Sequence, residues 1–185
     1  MPKVSPEHLA ARRRQILDGA RSCFARHGYD GATVAKLEEE IGLSRGAIFN
    51  YFAGKQDLFA ALAVDDNRRY VDLLVEEGLD GVMRSMANEN PEWLGVVLEV
   101  QGRLRHDPQF VERLERDTVE DRDRIAAWFR DRQAEGVFRD DVDLMNLGRF
   151  ATMLLNGLAL RVAGGDPVEI EPVLTLLHDA LDARQ

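Results

Sequence analysis

The sequence predicts an all-α protein of about nine helices, on three observations. Apolar residues recur at three- and four-residue spacing along almost the whole chain. None of the six prolines interrupts a long periodic segment. No stretch alternates apolar and polar residues with β-branched enrichment, as a half-buried strand would.

In order, residues 12–27 set Ile16, Leu17, Ala20, Cys23, Phe24 and His27 on one helical stripe, and Gly28 stops it. Thr33 offers a capping oxygen to a second helix, 34–41, which ends at Gly42. Ser44 does the same for a third, expected to run through Phe52 and to close at Gly54. Leu58, Phe59, Leu62, Tyr70, Leu73 and Leu74 mark a long fourth helix from Lys55 to about Gly78. Shorter helices are expected over 79–88 and 91–105, the second with proline in its first turn, where no helical donor is lost. One helix from Pro108 to about Glu135 follows. Asp140 and Asp141 are cap candidates ahead of a helix over 142–163. The turn Gly164-Gly165-Asp166 leads into the last helix, 167–183.

At 185 residues, with 45% hydrophobic and 31% charged residues, the chain has the composition of an ordinary folded domain and not of a disordered one. Its single cysteine, Cys23, excludes an internal disulfide framework and reads as core filler. No apolar run reaches the length of a membrane span, and the opening residues Met1 to His8 lack the apolar stretch of a signal peptide, so a cytoplasmic location is expected. The four histidines (8, 27, 106 and 178) form no pair four residues apart. Neither a nucleophile motif nor a phosphate-cradling glycine loop nor a cofactor fingerprint occurs, so no metal, cofactor or catalytic centre is expected.

The net charge of −9 hides an asymmetry. Residues 1–62 carry nine Lys or Arg against seven Asp or Glu, whereas residues 63–185 carry 15 against 26. A mildly basic head on an acidic body suits a head that meets a polyanion and a body that does not.

Function concentrates in residues 28–55. Two short helices joined through Ile41-Gly42-Leu43-Ser44 have helix-turn-helix spacing, in which the second helix enters a DNA major groove. Glycine at 42 suits a left-handed turn position. Ile48 and Phe52 are expected to pack inward with Leu43, leaving Arg45, Gly46, Phe49 and Asn50 on the outward face. Gly46 costs about 1 kcal/mol of helix propensity relative to alanine, a local loss that close approach to bases would explain. The cluster Arg12-Arg13-Arg14 is a candidate backbone-contacting arm. The competing reading is an all-helical small-molecule carrier or enzyme containing a helix-turn-helix-like hairpin. Such a protein has no use for an outward Arg45-Gly46 face.

These residues carry a resemblance to the TetR family of transcriptional regulators. Its elements are Gly28-Tyr29-x-x-Ala32-Thr33-Val34, then residues 41–49 (IGLSRGAIF), then Phe52-x-x-Lys55-x-x-Leu58-Phe59. The resemblance implies a homodimer whose third helices read a palindromic operator. It also implies a C-terminal body that binds a small-molecule effector. Thr33 and Lys55 resemble the family's phosphate-contacting residues, Ser44, Arg45 and Gly46 lie where its recognition helix meets bases and backbone, and Tyr51 stands where a phosphate-contacting histidine is common. Two positions depart from the pattern. Phe49 replaces a usual tyrosine, and Glu38 stands where helix-turn-helix proteins place alanine at the helix crossing. A finer resemblance, in Leu98-Glu99, Leu104-Arg105-x-Asp107-Pro108-x-Phe110 and Gly157-Leu158, is to the branch containing aconitase-gene repressors. That branch prefers histidines where Asn50 and Tyr51 stand, and it brings a tricarboxylate into view as an effector.

Two domains are thus expected, residues 1–55 for DNA and 56–185 for effector and dimerisation. Met83, Met86, Trp93, Leu98, Trp128 and Phe150 offer an adaptable apolar lining, with Arg103, Asn156 and Arg161 as polar groups and Arg103 as the partner for an anionic effector. The helix over 142–163 is apolar almost all round, and the last helix has a stripe of its own. A two-fold four-helix interface is expected from Phe150, Leu154, Gly157, Leu158 and Arg161 with Val173, Leu174, Leu177 and Leu181.

Overall fold

The computed structural model describes residues 5–183, so the first four residues, on which part of the signal-peptide expectation rests, lie outside it. The described residues form nine helices: α1 (Pro6–Gly31), α2 (Val34–Ile41), α3 (Arg45–Phe49), α4 (Lys55–Ala87), α5 (Pro91–Leu104), α6 (Pro108–Asp117), α7 (Val119–Ala134), α8 (Leu144–Ala163) and α9 (Ile170–Leu181). The only extended pairing among them is one antiparallel bridge between Phe138 and Asp182.

The glycine punctuation has a backbone cause. Gly28 (φ 69°) breaks α1 after His27, Gly42 (φ 72°) closes α2, and Gly78 (φ 74°) kinks α4, all in the left-handed region where a Cβ is costly. The expected helices 55–78 and 79–88 are therefore two arms of one kinked element. Several boundaries differ from expectation. α1 begins at Pro6, behind a Ser5 cap that accepts from the His8 N–H at 3.3 Å, and α9 spans Ile170–Leu181 rather than 167–183. The helix from Pro108 is broken at Thr118, whose φ of −113° and ψ of 9° leave the helical region while its hydroxyl donates to the Leu114 carbonyl. The third helix stops at Phe49, three residues short of Phe52. The cap of α8 is Asp143, which accepts from the Asn146 N–H at 2.9 Å, rather than Asp140 or Asp141. Asp141 instead pairs with Arg139.

Two cores form. In the first, Ile16, Ala20, Phe24, Leu37, Ile41, Ile48 and Phe52 meet Leu58, Phe59 and Leu62 of α4 and Trp93, Val96 and Val100 of α5. Phe59 is its hub, with ring centroids 5.6 Å from Phe24, 5.4 Å from Tyr29 and 5.9 Å from Trp93. Each such fully buried aromatic contributes roughly 1.5–3 kcal/mol. The α1–α2 crossing is close: a Cβ at Gly19 would lie 2.9 Å from the Ile41 backbone. The second core gathers Leu74, Val82, Met83, Leu94 and Phe129 with Leu147, Leu158, Val162, Leu174, Leu177 and Leu181. The expected division at residue 55 is thus bridged, because α4 and α5 each contribute to both cores.

Candidate nucleic-acid interface and ligand cavity

Each short helix of the head is held by a side-chain cap. The Thr33 hydroxyl accepts from the Lys36 N–H at 3.4 Å, and the Ser44 hydroxyl accepts from the Ala47 N–H at 3.4 Å. Glu38 reaches across the turn and accepts from the Arg45 N–H at 2.6 Å. The departure at position 38 therefore has a purpose in the fold: it fixes the start of α3.

On α3, Arg45 and Gly46 are exposed, as is Asn50 at its C-terminal cap, while Ile48 is buried. A Cβ at Gly46 would meet nothing within 4 Å, so its bare backbone faces open space. Phe49 corrects the expectation of an outward residue. It is half-buried against the first core, as is Tyr51, because the helix ends there and the chain turns back toward α4. Arg13 stacks over the Phe52 ring with its guanidinium 5.6 Å from the centroid, which brings the arginine cluster of α1 beside the reading head.

Lys55 is engaged within the chain. Its ammonium donates to the Tyr29 carbonyl at 2.9 Å and lies 4.6 Å from the Tyr29 ring centre. It is a clamp between α4 and the end of α1 rather than a free cation. Arg103 extends the same clamp. It donates to Asp30 at 2.9 Å and to Glu99 at 2.8 Å, and its side chain is 44% exposed. Hydrogen bonding from Arg103 holds the Asp30 carboxyl below its usual value. Arg103 is therefore corrected from an effector-binding residue to a tie between α5 and α1.

A cavity of about 320 Å³ opens among α4, α5, α7 and α8, lined among others by Met86 and Asn156. Met83 and Trp93 lie elsewhere, 1% exposed in the second and first cores, since both ends of the apolar stripe on α4 and α5 are spent on core packing. Trp128 packs edge-to-face with Phe129 and Phe138 instead, and Phe150 faces outward.

One wall residue of the cavity, Asp66, belongs to a network that sequence spacing does not reveal. Its carboxylate accepts from Arg21 of α1 and, at 2.6 Å, from the Trp93 indole N–H. Arg21 also pairs with Glu89 at 2.9 Å, and Glu89 with Arg69 at 2.5 Å. Arg21 caps the ring of Trp93 at 4.8 Å. Only a search for charged residues interrupting the buried stripe of α4 would have pointed to Asp66.

The dimerisation stripe is also redistributed. Leu158, Leu174, Leu177 and Leu181 are buried in the chain's own second core, and Leu154 and Val173 are half-buried against it. The open face carries Met145, Phe150, Met153 and Leu160 on α8 and Leu176 on α9, with Gly157 and Arg161 among them. Arg161 pairs with Asp166 at 3.3 Å. No helix among the described residues is long and apolar enough to cross a membrane.

A capped two-helix hairpin with an exposed arginine in its reading turn, mounted on a helical body with a cavity, defines a helix-turn-helix DNA-binding protein. Residues 16–62 match the family described as bacterial regulatory proteins, tetR family, and residues 61–185 match the C-terminal domain of BetI-type transcriptional repressors. The chain belongs to the TetR family of transcriptional regulators, and its activity is regulation rather than catalysis. It is 47% identical to the HTH-type transcriptional repressor Rv1474c of Mycobacterium tuberculosis, over 98% of both chains. It is 43% identical to the HTH-type transcriptional repressor AcnR of Corynebacterium diphtheriae, over 100% of this chain and 99% of that one. Its fold is similar to that of GusR from Salmonella enterica, with a TM-score of 0.72, 23% identity and 96% of each chain covered. A TetR transcription regulator from Haloarcula marismortui gives a TM-score of 0.73 at 23% identity, over 94% of this chain and 100% of that one.

Proposed function

We propose that the protein is a cytoplasmic, homodimeric repressor that is released from a two-fold-symmetric operator by a small molecule bound in the α4–α8 cavity. The sign of regulation rests on relatives named as repressors at 47% and 43% identity over nearly the whole chain. Arg45 reads a base edge from the first turn of α3, Gly46 lets the backbone come close, and Ser44, Asn50, Thr33 and Tyr51 serve backbone or neighbouring contacts. Dimerisation uses the open face of α8 and α9, through Met153, Gly157, Leu160 and Leu176 with Phe150 and Arg161 at its margin.

The observation that carries the ligand-controlled part is Asp66. One carboxylate is at once a wall of the cavity and the anchor of Arg21 on α1. A ligand that shifts α4 against α5 changes that anchorage and hence the seat of the reading head. A residue shared by the two sites supports coupling between them, which requires that the ligand favour one of two positions of the reading head.

Selection of bound sequences from random duplex DNA, followed by affinity against salt, tests the reading. A palindrome with half-sites about one helical turn apart, or a multiple of it, is expected. Binding without sequence preference overturns it. The resemblance to aconitase-gene repressors makes the promoter of an aconitase gene the first natural duplex to try.

A further inference from the structure

The start of α1 carries charge that the fold leaves unused. No residue from Ser5 to Gln15 is buried, whereas from Ile16 onward the same helix supplies the first core. A helical stretch without a buried face is ordinarily held by ion pairs along its own surface. Among the described residues, Glu7, Arg12, Arg13 and Arg14 form none. Arg12 donates to the Gln15 side-chain oxygen at 2.9 Å, Arg13 lies over the Phe52 ring, and Arg14 has no partner.

The other cations of the head are taken. Arg21 pairs with Asp66 and Glu89, and Arg26 pairs with Glu40 at 2.9 Å. Lys36 donates to the Gly31 carbonyl at 3.1 Å, and Lys55 donates to the Tyr29 carbonyl at 2.9 Å. Of the Lys and Arg side chains described up to residue 55, only those of Arg13, Arg14 and Arg45 have neither a hydrogen bond nor an ion pair.

Arg13 differs from Arg14 in having a seat. Its guanidinium lies 5.6 Å from the centroid of Phe52, a buried ring just beyond the exposed Asn50 that caps α3. A guanidinium stacked on a ring keeps its N–H groups in its own plane, free for the paired hydrogen bonds that a phosphate accepts. Two residues on, the Gln15 amide donates to the Ile41 carbonyl at 3.2 Å, which ties this part of α1 to the turn between α2 and α3. The Arg13 cation is thus fixed relative to the reading helix from both sides.

We propose that Arg13, seated on Phe52, grips a backbone phosphate of the duplex beside the major groove that α3 reads, and is the head's anchoring cation. This deepens the DNA-binding reading above and rests on it. Arg45 specifies sequence, whereas Arg13 supplies affinity and register, since a phosphate contact positions a protein on its duplex without distinguishing base pairs.

Fluorescence anisotropy against salt, on selected operator and on scrambled duplex, tests the assignment in the full-length protein. Arg13→Ala should weaken both duplexes by at least about tenfold at fixed salt. It should lower the salt slope by about one for each protomer bound and leave the ratio of the two affinities near wild type. Arg26→Ala removes the same charge from the same helix, but from an existing ion pair, so its slope should match the wild type. Phe52→Leu keeps an apolar side chain in the core and removes the ring. It should weaken binding about threefold when Arg13 is present and not at all in Arg13→Ala. An unchanged slope in Arg13→Ala overturns the proposal. So does an equal loss of slope in Arg26→Ala, which would make the effect one of net charge, or a Phe52→Leu penalty that persists in full without Arg13. A wild-type protein that prefers no duplex refutes the DNA-binding reading itself, whereas one that prefers its operator, with an Arg13→Ala variant of unchanged slope, refutes this anchor alone.

Discussion

The carboxylate of Glu38, in α2, accepts a 2.6 Å hydrogen bond from the backbone N–H of Arg45, the first residue of α3. With Ser44 accepting from the Ala47 N–H, two of the four donors that a helix start leaves without partners are satisfied, one of them by the neighbouring helix. A helix of five residues has little stability of its own, so its orientation is inherited from this bond and from the burial of Ile48.

Glu38→Ala should therefore loosen the reading helix. Loss of a capping interaction costs about 1 kcal/mol, so the ratio of operator to random-DNA affinity should fall about fivefold. The ratio is the right observable because removing a negative charge near DNA raises both affinities together. Glu38→Gln, which keeps an acceptor, should retain most of the ratio. Fluorescence anisotropy on both duplexes at fixed salt decides it, and an unchanged ratio in Glu38→Ala would remove Glu38 from the positioning of α3.

Arg45 and Lys55 should separate cleanly. Arg45→Ala should cost about 1–3 kcal/mol on the operator, with the preference relaxed at one position in each half-site. Lys55→Ala should lower the thermal midpoint, since it removes a hydrogen bond worth about 0.5–1.5 kcal/mol and a cation–π contact worth about 0.5–1 kcal/mol. Operator and random DNA should then weaken alike. A Lys55→Ala protein of unchanged midpoint but reduced salt slope would restore that residue to the phosphates.

Reading the sequence reached the glycine breaks, and both Thr33 and Ser44 as caps, because each of these is a local property of a few consecutive residues; the helix count agrees because the joining of 55–78 with 79–88 offsets the break at Thr118. It went astray wherever a stripe had two claimants. Leu158, Leu174, Leu177 and Leu181 have the periodicity of an interface, but the chain's own second core takes them, and periodicity does not say which partner a stripe meets. Trp93 and Met83 failed as pocket residues for the same reason. Arg103 failed because its partner, Asp30, is 73 positions away, and Asp66 was missed because its partners lie on two other helices.

The Arg21–Asp66–Glu89–Arg69 network makes acid stability a test of the head-to-body contact. Burial pushes the Glu89 carboxyl up, but the Asn90 backbone N–H and the guanidiniums of Arg21 and Arg69 outweigh it, leaving the group below its usual value. With the folded pKa depressed, the stabilisation is fully present above the unfolded value of about 4.3 and is lost as pH falls through the folded one. Glu89→Gln should cost about 1–3 kcal/mol at pH 7 and should flatten the decline in thermal midpoint below about pH 4.3. An acid limb as steep as the wild type's would show that the Glu89 carboxylate contributes nothing to the contact.

The open face of α8 and α9 yields the last prediction. Leu160 is 66% exposed and Leu176 is 67% exposed, and Met145 and Met153 of α8 are exposed to a similar degree, an unusual amount of large apolar surface for two helices. Burying it against a second copy about a two-fold axis removes it from water without disturbing the chain's own core. The double variant Leu160→Arg, Leu176→Arg should therefore be monomeric at micromolar concentration by light scattering while keeping its helical circular dichroism. Operator binding should fall steeply, since one reading head holds only one half-site. Leu158→Arg and Leu177→Arg should behave differently. Both residues are buried within one chain, so an arginine there carries an unpaired charge into the second core and should unfold the body rather than separate the protomers. A folded monomer from Leu158→Arg, or an intact dimer from Leu160→Arg, Leu176→Arg, would reverse the assignment of the two stripes.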